Sequence, residues 1–162
     1  RCTTPWPSCK GLPMPAPHPA PAADEAALTA SAQTFALAHC RTVAVVGLSP
    51  KPHRDSYEVA HYMQAQGWRI VPINPSAQEI LSEKAYPTLT EAARHTPIDL
   101  VNVFRKSEDV PPVVDEALSI GAKAIWLQMG IRHDAAAAKA RAAGVPVVQN
   151  RCLMVDHRRQ AA

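Results

Sequence analysis

The chain has 162 residues, 47% of them hydrophobic, a size that favours a single buried core. Its net charge is only +3, and the excess lies in residues 41–162, because residues 1–40 carry two basic and two acidic side chains. That excess suits an anionic small molecule and falls short of the basic face of a nucleic-acid binder, while no apolar run reaches the roughly 20 residues of a membrane span.

Seven of the sixteen prolines fall in residues 1–21, a composition that can neither continue a helix nor fill a sheet. Residues 1–23 therefore read as a disordered tail, and residues 1–13, which precede Met14, are expected to derive from cloning or upstream translation. Residues 24–162 read as one domain. No basic-plus-apolar signal segment opens the chain, so a cytoplasmic location is expected. Cys2, Cys9, Cys40 and Cys152 form no CxxC pair or metal spacing and are expected as reduced thiols.

From Asp24, expected as a cap, Leu28, Ala32 and Phe35 recur at helical spacing as far as His39. Five apolar runs follow, at residues 43–47, 69–73, 98–104, 122–127 and 145–149, each suited to a parallel strand buried on both faces. Between them lie helical patterns at 56–66, 107–120 and 133–143, and Gly67, Gly121 and Gly144 stand just past their ends, where a left-handed residue is wanted. The alternation predicts an α/β fold: a Rossmann-like, doubly wound, five-stranded parallel sheet with helices on both faces. Residues 77–94 are less regular and read as a turn followed by a small helix capped by Thr90.

In such a sheet a ligand sits at the carboxyl ends of the strands, where strand order reverses. The first loop, "GLSPKPHRDS", overhangs that crevice and places Pro50, Pro52 and Arg54 where a dinucleotide site has glycines. Prolines weaken an amide cradle, so the hydroxyls of Ser49 and Ser56 and the cations of Lys51 and Arg54 are the candidate phosphate ligands; the alternative is a solvated loop. Asp55 and Glu58 read as a capping box that turns the helix amides toward the loop. The second strand ends in Asn74 and Pro75 in place of the carboxylate that would hold the ribose of NAD. Asn74 then either meets a ribose or adenine edge or serves as turn chemistry. Phe104, Arg105, Trp126, Gln128 and Asn150 follow the later strand ends, where core packing competes with a role in the ligand wall.

The segments "VAVVGLSPKPHRDSYEVAHYM", "GWRIVPINP", "AYPTL", "DLVNVFRKSEDVPPVVDEAL", "GAKAIWLQMG" and "NRCLMVDH" occur in order from about Phe35 to Arg159. Together they resemble the small stand-alone CoA-binding proteins, which are similar to the N-terminal domain of the succinyl-CoA synthetase alpha subunit. The resemblance implies a non-catalytic module for coenzyme A or an acyl-CoA. It implies the diphosphate near Gly47, Ser49, Lys51, Arg54 and Ser56, and the adenosine toward Asn74 and Pro75. Phe104, Arg105, Trp126, Gln128 and Asn150 are implied as further walls. Ser82 departs from the "LGEK" usual in the family. The alternatives are an NAD(P)-dependent oxidoreductase and a partner-dependent component of an acyl-CoA synthetase. A homodimer or an enzyme of acyl-CoA metabolism is the expected partner, with neither nucleic acid nor membrane. No metal site and no catalytic residue is expected: His61 reads as a helix-surface residue and His157, in "DHRRQ", as part of a solvated terminus. Cys152, just after the last strand, either packs inertly or exchanges with the CoA thiol.

Overall fold

A computed structural model of the protein describes residues 22–161. The tail expected over residues 1–23 lies outside this range, except for its last two residues, which already belong to helix α1 (Ala22–His39). Asp24 is accordingly inside α1 and not its cap.

Strands β1 (Thr42–Val46), β2 (Arg69–Ile73), β5 (Leu100–Val103), β6 (Ala124–Leu127) and β7 (Val147–Val148) form one five-stranded parallel sheet in the order β2-β1-β5-β6-β7. Two further strands, β3 (Glu79–Ile80) and β4 (Glu83–Lys84), pair as a separate antiparallel hairpin. Successive strand residues point to opposite faces. Ala44, Val46, Val101, Val103, Ile125 and Leu127 pack on one face against α3 (Leu89–Ala93), α4 (Val110–Ser119) and α5 (Asp134–Ala142). Val43, Val45, Leu100, Ala124 and Trp126 pack on the other against α1, α2 (Asp55–Ala65) and α6 (Leu153–Ala161). The expected doubly wound sheet is therefore observed, with somewhat shorter strands than the apolar runs suggest.

Gly67, Gly121 and Gly144 adopt φ of +89°, +74° and +84° at the ends of α2, α4 and α5, as the terminating role requires. The residues from 77 to 94 differ from expectation. Leu81 and Ser82 take left-handed φ values of 56° and 63° and turn the β3–β4 hairpin, which is tied to α2 by Gln64 Nε2 donating to the Leu81 carbonyl at 2.9 Å. The small helix α3 is capped by Thr88, whose Oγ1 accepts from Glu91 N at 3.1 Å, so Thr90 is inside the helix. A left-handed non-glycine residue costs about 1–2 kcal/mol, partly offset by the chain entropy a glycine loses on folding. Ser82→Gly is therefore expected to stabilise the fold by up to about 1 kcal/mol, seen as a higher denaturant midpoint at unchanged slope.

The expected solvated C-terminus is instead helix α6. Asp156, buried, accepts from Gln33 Nε2 of α1 at 2.6 Å and from Arg151 Nε and Nη2 at 2.8 and 3.0 Å. At the next residue, His157 Nδ1 lies 3.0 Å from the Tyr62 hydroxyl of α2, edge-on to the rings of Tyr62 and Trp68. Burial, and then the charge of Arg41 stacked on Trp68, hold the His157 imidazole below its usual pKa. The unfolded chain takes up that proton near pH 6.5, so the stabilisation is complete above about pH 6.5 and is lost as the pH falls from there through the lower folded value. Between pH 7 and 5.5 the Tm of the wild-type protein should fall further than that of His157→Phe. Equal losses would remove His157 as the source.

Asp99, just before β5, joins the two central strands at their amino ends. Burial alone would raise its pKa, but hydrogen bonds from the Arg41 and Thr42 amides at 3.0 and 3.1 Å and the ammonium of Lys123 at 3.3 Å outweigh that and lower it. On the opposite edge, Arg141 of α5 pairs with Glu25 of α1 at 3.0 Å and donates to the Val147 carbonyl at 3.1 Å, which covers the short edge strand β7.

Candidate functional site

β1 lies between β2 and β5, and the chain leaves β1 toward α2 on one face and leaves β5 toward α4 on the other. The loops diverge there and open a crevice at the carboxyl ends of the two strands. Gly47 forms its floor. Its amide donates to the Ile73 carbonyl at 3.1 Å, its φ is +85°, and a Cβ would stand 3.2 Å from both the Phe104 carbonyl and Arg105 Cδ.

A cavity of about 380 Å³ rises from Gly47 and is lined by Ser49, Lys51, Arg54, Ser56 and Phe104, with Asp55 as its one carboxylate. The expected capping box is absent: Arg54 occupies the cap position of α2 without a side-chain hydrogen bond, and Asp55 is the first helical residue. The first-turn amides of α2 thus keep their donors for another acceptor. Ser56 Oγ accepts from Ser49 N at 3.0 Å and Ser49 Oγ accepts from Lys51 N at 3.2 Å, so the two hydroxyls knit the loop. Each oxygen acts as an acceptor in these bonds, which leaves its O–H proton free to donate. Among the described residues, neither Lys51, Arg54 nor Arg105 forms an ion pair, and all three are exposed.

Phe104 and Asp55 also border a second cavity of about 280 Å³, whose other walls include Val59, Gln128, Met129, Cys152 and Met154. On the α3–α4 side of the strand ends, Arg105, Pro75, Ile73, Leu89 and Val113 line a third, of about 250 Å³. The first two share Asp55 and Phe104, and the third opens beside them, lined by Val46 and Arg105, the chain neighbours of Gly47 and Phe104.

A family model described as a CoA binding domain matches residues 41–158. The chain belongs to the CoA-binding domain family. It is 40% identical over 121 residues to the Bacillus subtilis (strain 168) protein YneT, covering 75% of this chain and 88% of that one. A solved structure of a Pyrococcus horikoshii OT3 protein is 34% identical with a TM-score of 0.76, over 80% of this chain and 90% of that one. The dinucleotide-forming acetyl-coenzyme A synthetase 1 of Ca. Korarchaeum cryptofilum shares the fold at 22% identity and a TM-score of 0.59, over 70% of this chain and 26% of that one.

In this CoA-binding domain three of the residues expected to contact a ligand, Trp126, Asn74 and Asn150, make bonds within the protein. Trp126 is fully buried and its indole N–H donates to the Arg151 carbonyl at 2.9 Å, so it is core and not wall. It shares a strand face with Gln128 but lies two residues deeper, and only Gln128 reaches a cavity. Asn74 spends its amide on turn chemistry, donating to the Leu48 carbonyl at 2.9 Å and accepting from Ser76 N at 2.8 Å. Asn150, at φ +55°, accepts from Gly130 N at 2.7 Å and clasps the loop after β6.

Glu58, Val59, Met129 and Met154 meet in the second cavity without a sequence signal, because they come from the starts of α2 and α6 and from the loop after β6, remote from one another along the chain. Asn102 carries no sequence signal either: fully buried on β5, it points to the same face as Phe104, and no protein group among the described residues bonds its amide.

His133 caps α5 through Nδ1, which accepts from Ala136 N at 3.1 Å, and exposed His61 stacks on Tyr57. Cys40 is buried and its thiol is pushed up to about 11 by burial, which makes it inert, whereas Cys152 is half-buried at the cavity wall. Among the described residues no cluster of His, Cys, Asp or Glu could hold a metal ion, and no helix is long and apolar enough to cross a membrane.

Proposed function

We propose that this protein is a ligand-binding module for coenzyme A or an acyl-CoA. The observation that carries the reading is the set of three cavities on one sheet edge in a member of the CoA-binding domain family: a basic cavity in the middle, an apolar one on one side and a mixed one on the other. That order matches a ligand with anionic phosphates between an apolar arm and a nucleoside. The diphosphate lies against Lys51, Arg54, the Ser49 and Ser56 hydroxyls and the open end of α2. The pantetheine arm passes Phe104 toward Gln128, and the adenosine lies toward Pro75 with Arg105 between it and the phosphates. NAD is disfavoured because β2 ends at Ile73 and is followed by Asn74 and Pro75, with no carboxylate for the ribose and the Asn74 amide already committed.

Isothermal titration with CoA, dephospho-CoA and NAD at two salt concentrations tests this. CoA should bind in a salt-sensitive manner and NAD should not; NAD binding, or no binding of CoA, would reject the reading. Cys152 adds a redox form of the same complex. Its thiolate attacks CoA disulfide, forming the protein–CoA disulfide and releasing one CoA thiolate, so electrons balance within the exchange. Peptide mapping after incubation with CoA disulfide should place an adduct on Cys152, and the intact mass of Cys152→Ser should carry one adduct fewer than the wild type.

A further inference from the structure

The second cavity has a charge pattern opposite to the first. Its walls are apolar, from Val59, Phe104, Ile131 and Met154, with 65%-exposed Met129 at the rim. The charged side chains that line it are two carboxylates, Asp55 and Glu58, both on the first turn of α2. Among the described residues no cation is paired with either. Lys51 and Arg54, the cations closest along the chain, line the central cavity and not this one, while Arg151 grips Asp156, Arg132 pairs with Asp134 and Arg158 lies over the Tyr62 ring.

We propose that this cavity selects the acyl group of a thioester, accepting short uncharged acyl chains and rejecting those that end in a carboxylate. The inference rests on the CoA-binding reading, which brings the thiol end of the ligand past Phe104 into this space. Each methylene that leaves water against the apolar walls strengthens binding by about fourfold. The gain stops after a few carbons, because a cavity of about 280 Å³ holds no more and a longer chain passes Met129 into solvent. A terminal carboxylate meets the opposite situation. It must lose hydration against apolar side chains while approaching Glu58 and Asp55, two charges of its own sign. Carboxylate repulsion at this range in a half-open site amounts to about tenfold in affinity.

Titration of the full chain with free CoA, acetyl-, butyryl-, palmitoyl- and succinyl-CoA tests the proposal. Affinity is expected to rise from acetyl to butyryl, to gain nothing further at palmitoyl, and to be about tenfold or more weaker for succinyl than for butyryl. Raising the salt from about 0.05 to 0.5 M should narrow the succinyl deficit, since screening acts on charge and not on size. Glu58→Gln should raise the succinyl-to-butyryl affinity ratio several-fold. Equal affinity for the two thioesters overturns the inference, as does a deficit unchanged by salt and by Glu58→Gln, which would reflect size. If CoA binds and these ratios fail, only the acyl selection falls. If neither CoA nor any thioester binds, the CoA-binding reading falls and takes the selection with it.

Discussion

Replacing Lys51 and Arg54 together by alanine is expected to lower the affinity for CoA by about 30- to 100-fold at moderate salt and to leave the affinity for adenosine nearly unchanged. Both side chains line the central cavity, both are exposed, and neither has a carboxylate partner among the described residues, so their charges are available to a ligand. Exposure tempers the effect. A charge-assisted hydrogen bond to phosphate is among the stronger polar contacts, but water and salt screen it here, which is why two substitutions are needed for a loss of this size. The neighbouring Asp55 carboxylate opposes phosphate binding, and the alanine pair would leave it unopposed. The double variant should also show a flatter dependence of log affinity on log salt, because fewer charges are neutralised on binding. Dephospho-CoA should lose as much as CoA, since both carry the diphosphate. Arg105→Ala differs: Arg105 stands between the central and the Pro75 cavities, and its loss should weaken CoA more than dephospho-CoA if it meets the 3′-phosphate. Calorimetric titration of all three ligands measures each ratio. A parallel loss for adenosine would mean that the loop had lost its shape.

The parts of this protein that were legible from sequence are those whose cause is local. Parallel strands such as β1 and β6 are buried on both faces and so appear as unbroken apolar runs, and the glycines after α2, α4 and α5 announce helix ends because few other residues tolerate φ near +80°. The position of the basic loop followed from the same logic, since the first strand end of a doubly wound sheet faces the crevice. What escaped the sequence depends on partners distant along the chain. The β3–β4 hairpin turns on Leu81 and Ser82, residues that do not advertise a left-handed turn. Helix α6 is anchored by an ion pair and a Tyr–His contact and has few apolar residues, so its polar sequence reads as solvated. Trp126 and Gln128 share a strand face, and only the depth of the sheet edge decides that one is core and the other lines a cavity. The capping box failed for a related reason: the loop closes through Ser49 and Ser56, which fixes Arg54 at the cap and shifts Asp55 into the helix. The result leaves the first-turn amides of α2 open, a more useful arrangement for an anion than the one expected.

Asp156→Ala is expected to destabilise the protein by about 2–3 kcal/mol. Removing one partner of a buried ion pair normally costs about 3–5 kcal/mol, because the other charge is left without compensation. The lower figure applies here because Arg151 is 38% exposed and regains water when freed, whereas Asp156 is 6% exposed and also holds Gln33 of α1. For a chain of this size the loss corresponds to a fall in Tm of about 6–12 °C. Asp156→Asn should cost less, since the amide oxygen still accepts from Gln33 or Arg151. The consequence extends to the site, because α6 and the residue before it supply Cys152, Met154 and Val155 to the second cavity, while the basic loop belongs to α2 and β1. In the variant, affinity for butyryl-CoA should fall by a larger factor than affinity for adenosine 3′,5′-diphosphate, measured well below the lowered Tm. A uniform loss for both ligands would mean that α6 supports the whole crevice, and the assignment of the acyl end to the second cavity would lose its main structural support.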